Sequence, residues 1–198
     1  MLFPRGTAEA GDFSGRTVFM KKSVRGGGNM KKVIVIGSPG AGKSTFARKL
    51  KEKTGLPLWY LDMIWHKPDK TNISREEFDE RLQEIIRGER WIIDGNYLRT
   101  LEVRLQSCDT VFLLDYPLEI CLAGAEARIG KTREDMPWME TEFDEEFRQW
   151  ILDFSKDQRP VIYGLLERYR KIRRIYIFHS REENESWFSQ IPDDIGGL

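Results

Sequence analysis

The sequence predicts a three-layer α/β fold around a five-stranded parallel sheet. Two observations carry this expectation. Short apolar runs alternate with stretches of helical period along most of the chain, the pattern of strand–helix–strand units. A glycine-rich turn at residues 37–44 separates the first apolar run from the first helical stretch, the place where open α/β sheets bind ligands. The 198 residues suffice for one domain with a full core.

The elements follow in order. Val33, Ile34, Val35 and Ile36 form an unbroken apolar run, as expected of a strand buried on both faces. A helix is predicted over about 43–53, with Phe46, Ala47 and Leu50 on one side and Gly55 as its stop. Residues 56–61 read as the second strand. Ser74 with Glu77 forms a capping box, in which hydroxyl and carboxylate satisfy free backbone N–H groups. Phe78, Leu82, Ile85 and Ile86 follow at helical spacing, and Gly88 ends that helix. Strands are predicted at 91–93, 110–114 and 172–178. Pro117 opens a helix running to about 128, and a last helix covers about 181–190.

Residues 131–157 interrupt the rhythm with nine acidic and four basic side chains. Phe143, Phe147, Trp150 and Phe154 recur there at helical spacing, predicting an amphipathic helix that lays an aromatic stripe on the core. Residues 1–29 differ from the rest. They hold six glycines, five basic and two acidic residues and no sustained apolar period. They are read as a disordered leader or a start assigned too far upstream, with the domain at 30–198 opening at Met30. A functional basic arm is the other reading of that net +3 charge.

Composition excludes several classes. Lys plus Arg and Asp plus Glu each number 32, so the net charge is zero and no general basic coat for nucleic acid exists. Two cysteines, Cys108 and Cys121, allow neither a disulfide scaffold nor a four-cysteine zinc site. No apolar run is long enough to span a membrane. A cytoplasmic location is expected. Nothing in the sequence sets an oligomeric state.

Gly37, Ser38, Pro39, Gly40, Ala41, Gly42, Lys43 and Ser44 match G-x-x-x-x-G-K-[ST], the P-loop motif. Strand, motif and helix are in register, as its chemistry requires. The glycines let successive N–H groups turn inward on phosphate oxygens, and the helix N-terminus adds partial positive charge. Lys43 is expected on the β and γ phosphates, the Ser44 hydroxyl on Mg²⁺ and Thr45 near the α phosphate. No N-K-x-D guanine reader is present.

Three further motifs make the chain resemble the small-molecule kinases of the adenylate-kinase-like branch: Asp94-Gly95-Asn96-Tyr97 after the third strand, Leu114-Asp115-Tyr116-Pro117 after the fourth, and Arg128 with Arg133. Together with Leu61-Asp62, Trp65, Arg104 before Asp109-Thr110, Glu134-Asp135-Met136 and Trp150 through Arg159-Pro160, they make residues 32–190 similar to the P-loop kinases of the DNA topology modulation protein family. The resemblance implies ATP and Mg²⁺ as cofactors and a lid at about 129–160. It implies that Asp94 shares the Mg²⁺ shell with Ser44, that Arg128 lies along the nucleotide and that Arg133 reaches the transferring phosphate. Arginines of that kind stabilise charge spread over the moving group. Asp115 is read either as a second metal-shell acid or as a capping residue beside Pro117. One departure matters: Tyr97-Leu98 stands where adenylate kinases have Pro then Arg, so Arg99 is out of register.

On the acceptor side, resemblance to shikimate kinase makes Asp62 a base or orienting group; a helix cap or loop contact is the alternative. Arg99 and Arg104 are candidates for an anionic acceptor or, alternatively, surface charges. Trp65, His66 and Tyr97 are candidate pocket walls or core aromatics. The expected partner is a small phosphate acceptor: a nucleoside monophosphate, a nucleoside or a small metabolite. Near the end, Arg168, Arg170, Lys171, Arg173 and Arg174 form a basic run, read as a solvated helix end or a nucleic-acid patch. The second functional reading is therefore a nucleotide-dependent regulatory or DNA-associated protein.

Overall fold

The computed structural model describes residues 30–191; the reading of residues 1–29 lies outside that range. The elements run β1 (Lys32–Gly37), α1 (Lys43–Thr54), β2 (Leu58–Tyr60), α2 (Leu61–Trp65), α3 (Arg75–Arg87), β3 (Trp91–Asp94), α4 (Leu98–Ser107), β4 (Thr110–Leu114), α5 (Leu118–Glu126), α6 (Glu145–Asp157), α7 (Arg159–Tyr169), β5 (Arg174–Phe178) and α8 (Arg181–Ser189). The strands form one sheet in the order β2-β3-β1-β4-β5, and every pairing is parallel.

The unbroken apolar runs have a simple cause. Val33 and Val35 face one layer with Phe46, Ala47 and Leu50 of α1 and Phe188 of α8. Ile34 and Ile36 face the other, with Phe78 and Leu82 of α3, Leu101 and Leu105 of α4 and Ile162 and Leu166 of α7. With both faces covered, neither alternate set can be polar. Register then levels the carboxyl ends of the strands. Val35 and Tyr60 both pair with Asp94, and Leu114 pairs with Gly37 and with Phe178.

Several boundaries differ from expectation. The second strand spans only Leu58–Tyr60. Leu61 turns into α2 because its side chain is buried beneath the loop at Gly95, where an added Cβ would stand 2.8 Å from Leu61 Cβ. The fifth strand begins at Arg174 because the amides of Ile172 and Arg173 still bond Tyr169 O in the turn after α7. Asp144 caps α6 by accepting from Phe147 N at 2.7 Å, which leaves Phe143 outside the helix. The aromatic stripe is also rotated: Ile151 and Phe154 are buried and Trp150 is exposed.

The basic run before β5 is tied down. Arg168 pairs with Glu102, Arg170 with Glu167 and Arg174 with Asp109, while Arg173 bonds the carbonyls of Leu105 and Gln106. Cys108 and Cys121 are both free and buried. No helix among the described residues is long and apolar enough to cross a membrane.

Candidate active site

The site stands on the carboxyl ends of β1 and β3 and on the start of α1. After Gly37 the chain curls through Ser38, Pro39, Gly40 and Ala41 to Gly42, which precedes Lys43, the first residue of α1. Ala41 N donates to Ser38 O at 3.2 Å, and Ser38 Oγ to Pro39 O at 3.3 Å. The curl sits against α5. A Cβ on Gly40 would lie 1.9 Å from Cys121 O, and one on Gly124 would lie 2.1 Å from Gly40 O. Only a pair of glycines permits that approach.

Lys43 Nζ donates to Ser38 O at 3.1 Å and folds over the loop. Burial lowers its pKa, opposed by the charges of Asp94 and Asp62. Asp94 closes β3 and is buried. Burial pushes its carboxyl up to about 7, against the pull of Lys43 and the nearby Ser44 hydroxyl, with Asp62 and Asp135 pushing it further up. Asp62 lies in the first turn of α2, not at the end of a strand as expected, and accepts from the Tyr97 hydroxyl at 2.8 Å. Thr45 lies exposed one residue past Ser44, and its hydroxyl accepts from Arg48 at 3.3 Å.

Arg128 follows α5, and its guanidinium sits over the Phe147 ring at 5.7 Å. Burial and the like charge of Arg133 lower its pKa. Arg133 lies within 3.2 Å of both Asp135 and Glu140. Lys43, Ser44, Arg128 and Arg133 line one cavity of about 510 Å³, joined by Asp135 and Arg181.

The site residues fit a nucleotide with its cation. Among the described residues, Asp94 Oδ1 and Arg128 Nε and Nη2 are buried polar atoms without a hydrogen-bond partner. Buried polar groups are seldom left so, and phosphate oxygens and a metal shell would satisfy them. No group of three Asp, Glu, His or Cys that could hold a metal occurs among the described residues. A cation here would take Ser44 and Asp94 and complete its shell on phosphate, the usual habit of Mg²⁺.

Three expectations need correction. Arg104 was a candidate for the acceptor, but it is fully buried. Its guanidinium donates to Gly95 O at 2.8 Å and to Asn96 O and Tyr97 O at 2.9 Å each, and Nε donates to Thr100 O at 3.3 Å. It shapes the loop after β3, with four of its five N–H groups on carbonyls and no surface open to an anion. Arg99 makes a two-point bond to Asp79 on the surface, both contacts at 2.7 Å. Asp115 is not the α5 cap, which is Pro117. It accepts from Tyr163 and Arg159 at 2.7 and 2.8 Å, anchoring α7 beside a separate cavity of about 350 Å³.

Sequence reasoning gave no role to Asp135. Its carboxylate accepts from the Ser44 hydroxyl at 2.6 Å. Its place two residues after Arg133 was the available signal. His66 bonds Asn72 at 2.7 Å and meets Trp138 edge-on at 5.0 Å. Trp65 and Tyr97 both pack on Phe78.

The fold and loop together define a three-layer α/β fold with a P-loop, and solved small-molecule kinases share that fold. A shikimate kinase from Acinetobacter baumannii, solved with shikimate, superposes with a TM-score of 0.53 at 19% identity, covering 81% of this chain and 90% of that one. An unliganded sugar kinase from Janibacter sp. HTCC2649 gives a TM-score of 0.50 at 18% identity, covering 81% and 91%. In sequence, adenylate kinases from Thermotoga neapolitana and Thermotoga maritima are each 30% identical over 97 residues, which is 48% of this chain and 43% of theirs. The chain thus spans less than half the length of those relatives. No protein-family model matches it.

Proposed function

We propose that this protein is an ATP- and Mg²⁺-dependent kinase that transfers the γ-phosphoryl group to a small acceptor, acting in the cytoplasm. The observation that carries the reading is the single cavity where Lys43, Ser44, Arg128 and Arg133 meet beside the buried Asp94. The adenylate kinases and the shikimate and sugar kinases to which the chain is similar support it. The two buried free thiols suit a reducing compartment.

Residues 38–45 would hold the phosphates, with Lys43 on the β and γ groups. Ser44 and Asp94 would hold Mg²⁺, which when bound screens phosphate charge and orients the phosphates for in-line transfer. Arg128 and Arg133 stabilise negative charge as it spreads over the moving group. Asp62, held by the Tyr97 hydroxyl, accepts the hydrogen bond of the acceptor hydroxyl and aims it. A strong base is unnecessary, since positioning and electrostatics supply most of the rate. Trp65, His66 and Tyr97 stand nearby as walls of the acceptor side. The acceptor belongs to the nucleoside monophosphates, the nucleosides or the small hydroxylated metabolites. The motif likeness to the DNA topology modulation family is a kinase likeness, because four of the five side chains of the basic run that would serve DNA are engaged by carboxylates or carbonyls.

The test is ADP release from Mg²⁺-ATP across nucleoside monophosphates, nucleosides, sugars and small hydroxy acids, with Lys43→Ala alongside. One acceptor should raise ADP release strongly, and the variant should lose at least about 10²–10³-fold while staying folded. Full activity in Lys43→Ala would sink the mechanism. ATP binding without turnover on any acceptor, together with DNA affinity that falls steeply with salt, would favour a nucleotide-dependent DNA-associated protein.

A further inference from the structure

We propose that Asp135 is a metal-shell positioning residue carried by the lid, so that a divalent cation at Ser44 ties the segment 131–144 to the bound phosphates. The inference rests on the kinase reading above and names a residue that the P-loop motif does not contain.

Four observations converge on it. Asp135 Oδ2 accepts from the Ser44 hydroxyl at 2.6 Å, and Ser44 is the P-loop oxygen suited to Mg²⁺. The carboxylate is buried although it belongs to a segment without helix or strand. Its other oxygen lies 3.2 Å from Arg133 Nε, so one side chain bridges the P-loop and an arginine of the cavity. The segment around it is built rather than loose. Gly130 N donates to Glu140 O at 2.7 Å, Arg133 pairs with Glu140, and Trp138 packs edge-on against His66 next to α2.

Charge decides what the arrangement is for. Asp62, Asp94 and Asp135 face Lys43, Arg128 and Arg133, a balanced set. Nucleotide phosphates entering beside Ser44 add several negative charges next to the Asp135 carboxylate, which repels them. With a divalent cation bound at Ser44 the sign of that contact would reverse: Asp135 would accept a stronger bond from the polarised Ser44 hydroxyl and would itself be drawn to the positive charge. Mg²⁺ commonly uses one or two carboxylates together with phosphate, and groups that orient a metal ligand set metal affinity strongly. Asp135 therefore makes nucleotide binding depend on the cation.

The experiment measures ATP affinity calorimetrically on the full chain, with excess Mg²⁺ and with excess EDTA. Wild type is compared with Asp135→Asn, Ser44→Ala and the double variant. Wild type should bind ATP more tightly with Mg²⁺, and Asp135→Asn should lose about 10–100-fold of that gain. Its affinity in EDTA should hold or rise, because the repulsion is gone. The double variant should lose little more than either single one. Asp135→Glu, which keeps the carboxylate, should recover part of the gain, and Mn²⁺ binding in the presence of ADP, read by electron paramagnetic resonance, should weaken in Asp135→Asn.

An unchanged Mg²⁺ gain in a folded Asp135→Asn would overturn the proposal. So would wild-type ATP binding that is indifferent to Mg²⁺. Failure of wild type to bind ATP under either condition would instead overturn the kinase reading, and this inference with it.

Discussion

The Tyr97 hydroxyl donates to Asp62 Oδ1 at 2.8 Å, joining the start of α4 to the first turn of α2. Burial and the Asp62 charge hold the phenol well above its ordinary pKa, so it remains a donor at any working pH. Tyr97→Phe keeps the ring stacked on Phe78, 5.1 Å away, but releases Asp62. We expect a stability loss of about 1–2 kcal/mol and a fall of about 10–100-fold in kcat/KM for the acceptor. Thermal unfolding beside steady-state kinetics separates the two effects. An unaffected kcat/KM would remove Asp62 from the acceptor site.

Asp94 predicts how the ligand-free protein responds to pH. Its carboxyl is pushed up to about 7 from an ordinary 3.8. Between those values the native state holds a proton that the unfolded chain has released. Stability contributed by this group is therefore present at low pH and lost as pH rises from about 4 to about 7. Asp94→Asn should flatten that part of the stability profile and raise the unfolding midpoint above pH 7, while impairing Mg²⁺-dependent ATP binding. Urea titrations across the window decide it; an identical pH slope in the variant would contradict the assignment.

Arg104 is a structural cation. Burial lowers its pKa to about 9, and its donors go to the carbonyls of Gly95, Asn96, Tyr97 and Thr100. Arg104→Ala strands buried carbonyls at roughly 1–3 kcal/mol each, so a total loss of about 3 kcal/mol or more is expected in urea unfolding. Arg104→Lys keeps the charge but not the planar fork and should recover little. A variant of full stability with weakened acceptor binding would return Arg104 to the acceptor site.

Gly124 offers a test in which the sign is informative. A glycine inside a helix normally costs about 0.5–1 kcal/mol relative to alanine, so Gly124→Ala would ordinarily stabilise α5. Here the new Cβ would stand 2.1 Å from Gly40 O, and the P-loop has to shift. We expect a destabilised protein with at least about tenfold weaker ATP binding, on the scale of a misplaced contact. A more stable variant with unchanged affinity would show that the loop does not need this approach.

The P-loop side of the site was legible along the chain, and the side proposed for the acceptor was not. Residues 37–45 are contiguous, and their chemistry is local: a tight turn, inward N–H groups and a helix start. The strands were legible for a different reason, since burial on both faces demands an unbroken apolar run. Helix α4 escaped notice because its buried face includes Thr100 and Arg104 beside Leu101 and Leu105, which breaks the apolar period. Helix α7 escaped because it buries only Ile162 and Leu166.

Sequence alone therefore placed the strands and the P-loop, because each depends on residues adjacent in the chain. Tertiary packing decided the rest. Arg104 and Arg99 look alike in sequence, yet one is enclosed by carbonyls and the other pairs with Asp79 at the surface. Asp135 stands 91 positions from Ser44 and meets it only because α5 and the segment after it fold back over the loop. Whether a charged side chain binds a ligand or holds a loop depends on which neutral and charged groups surround it, and those come from distant parts of the chain.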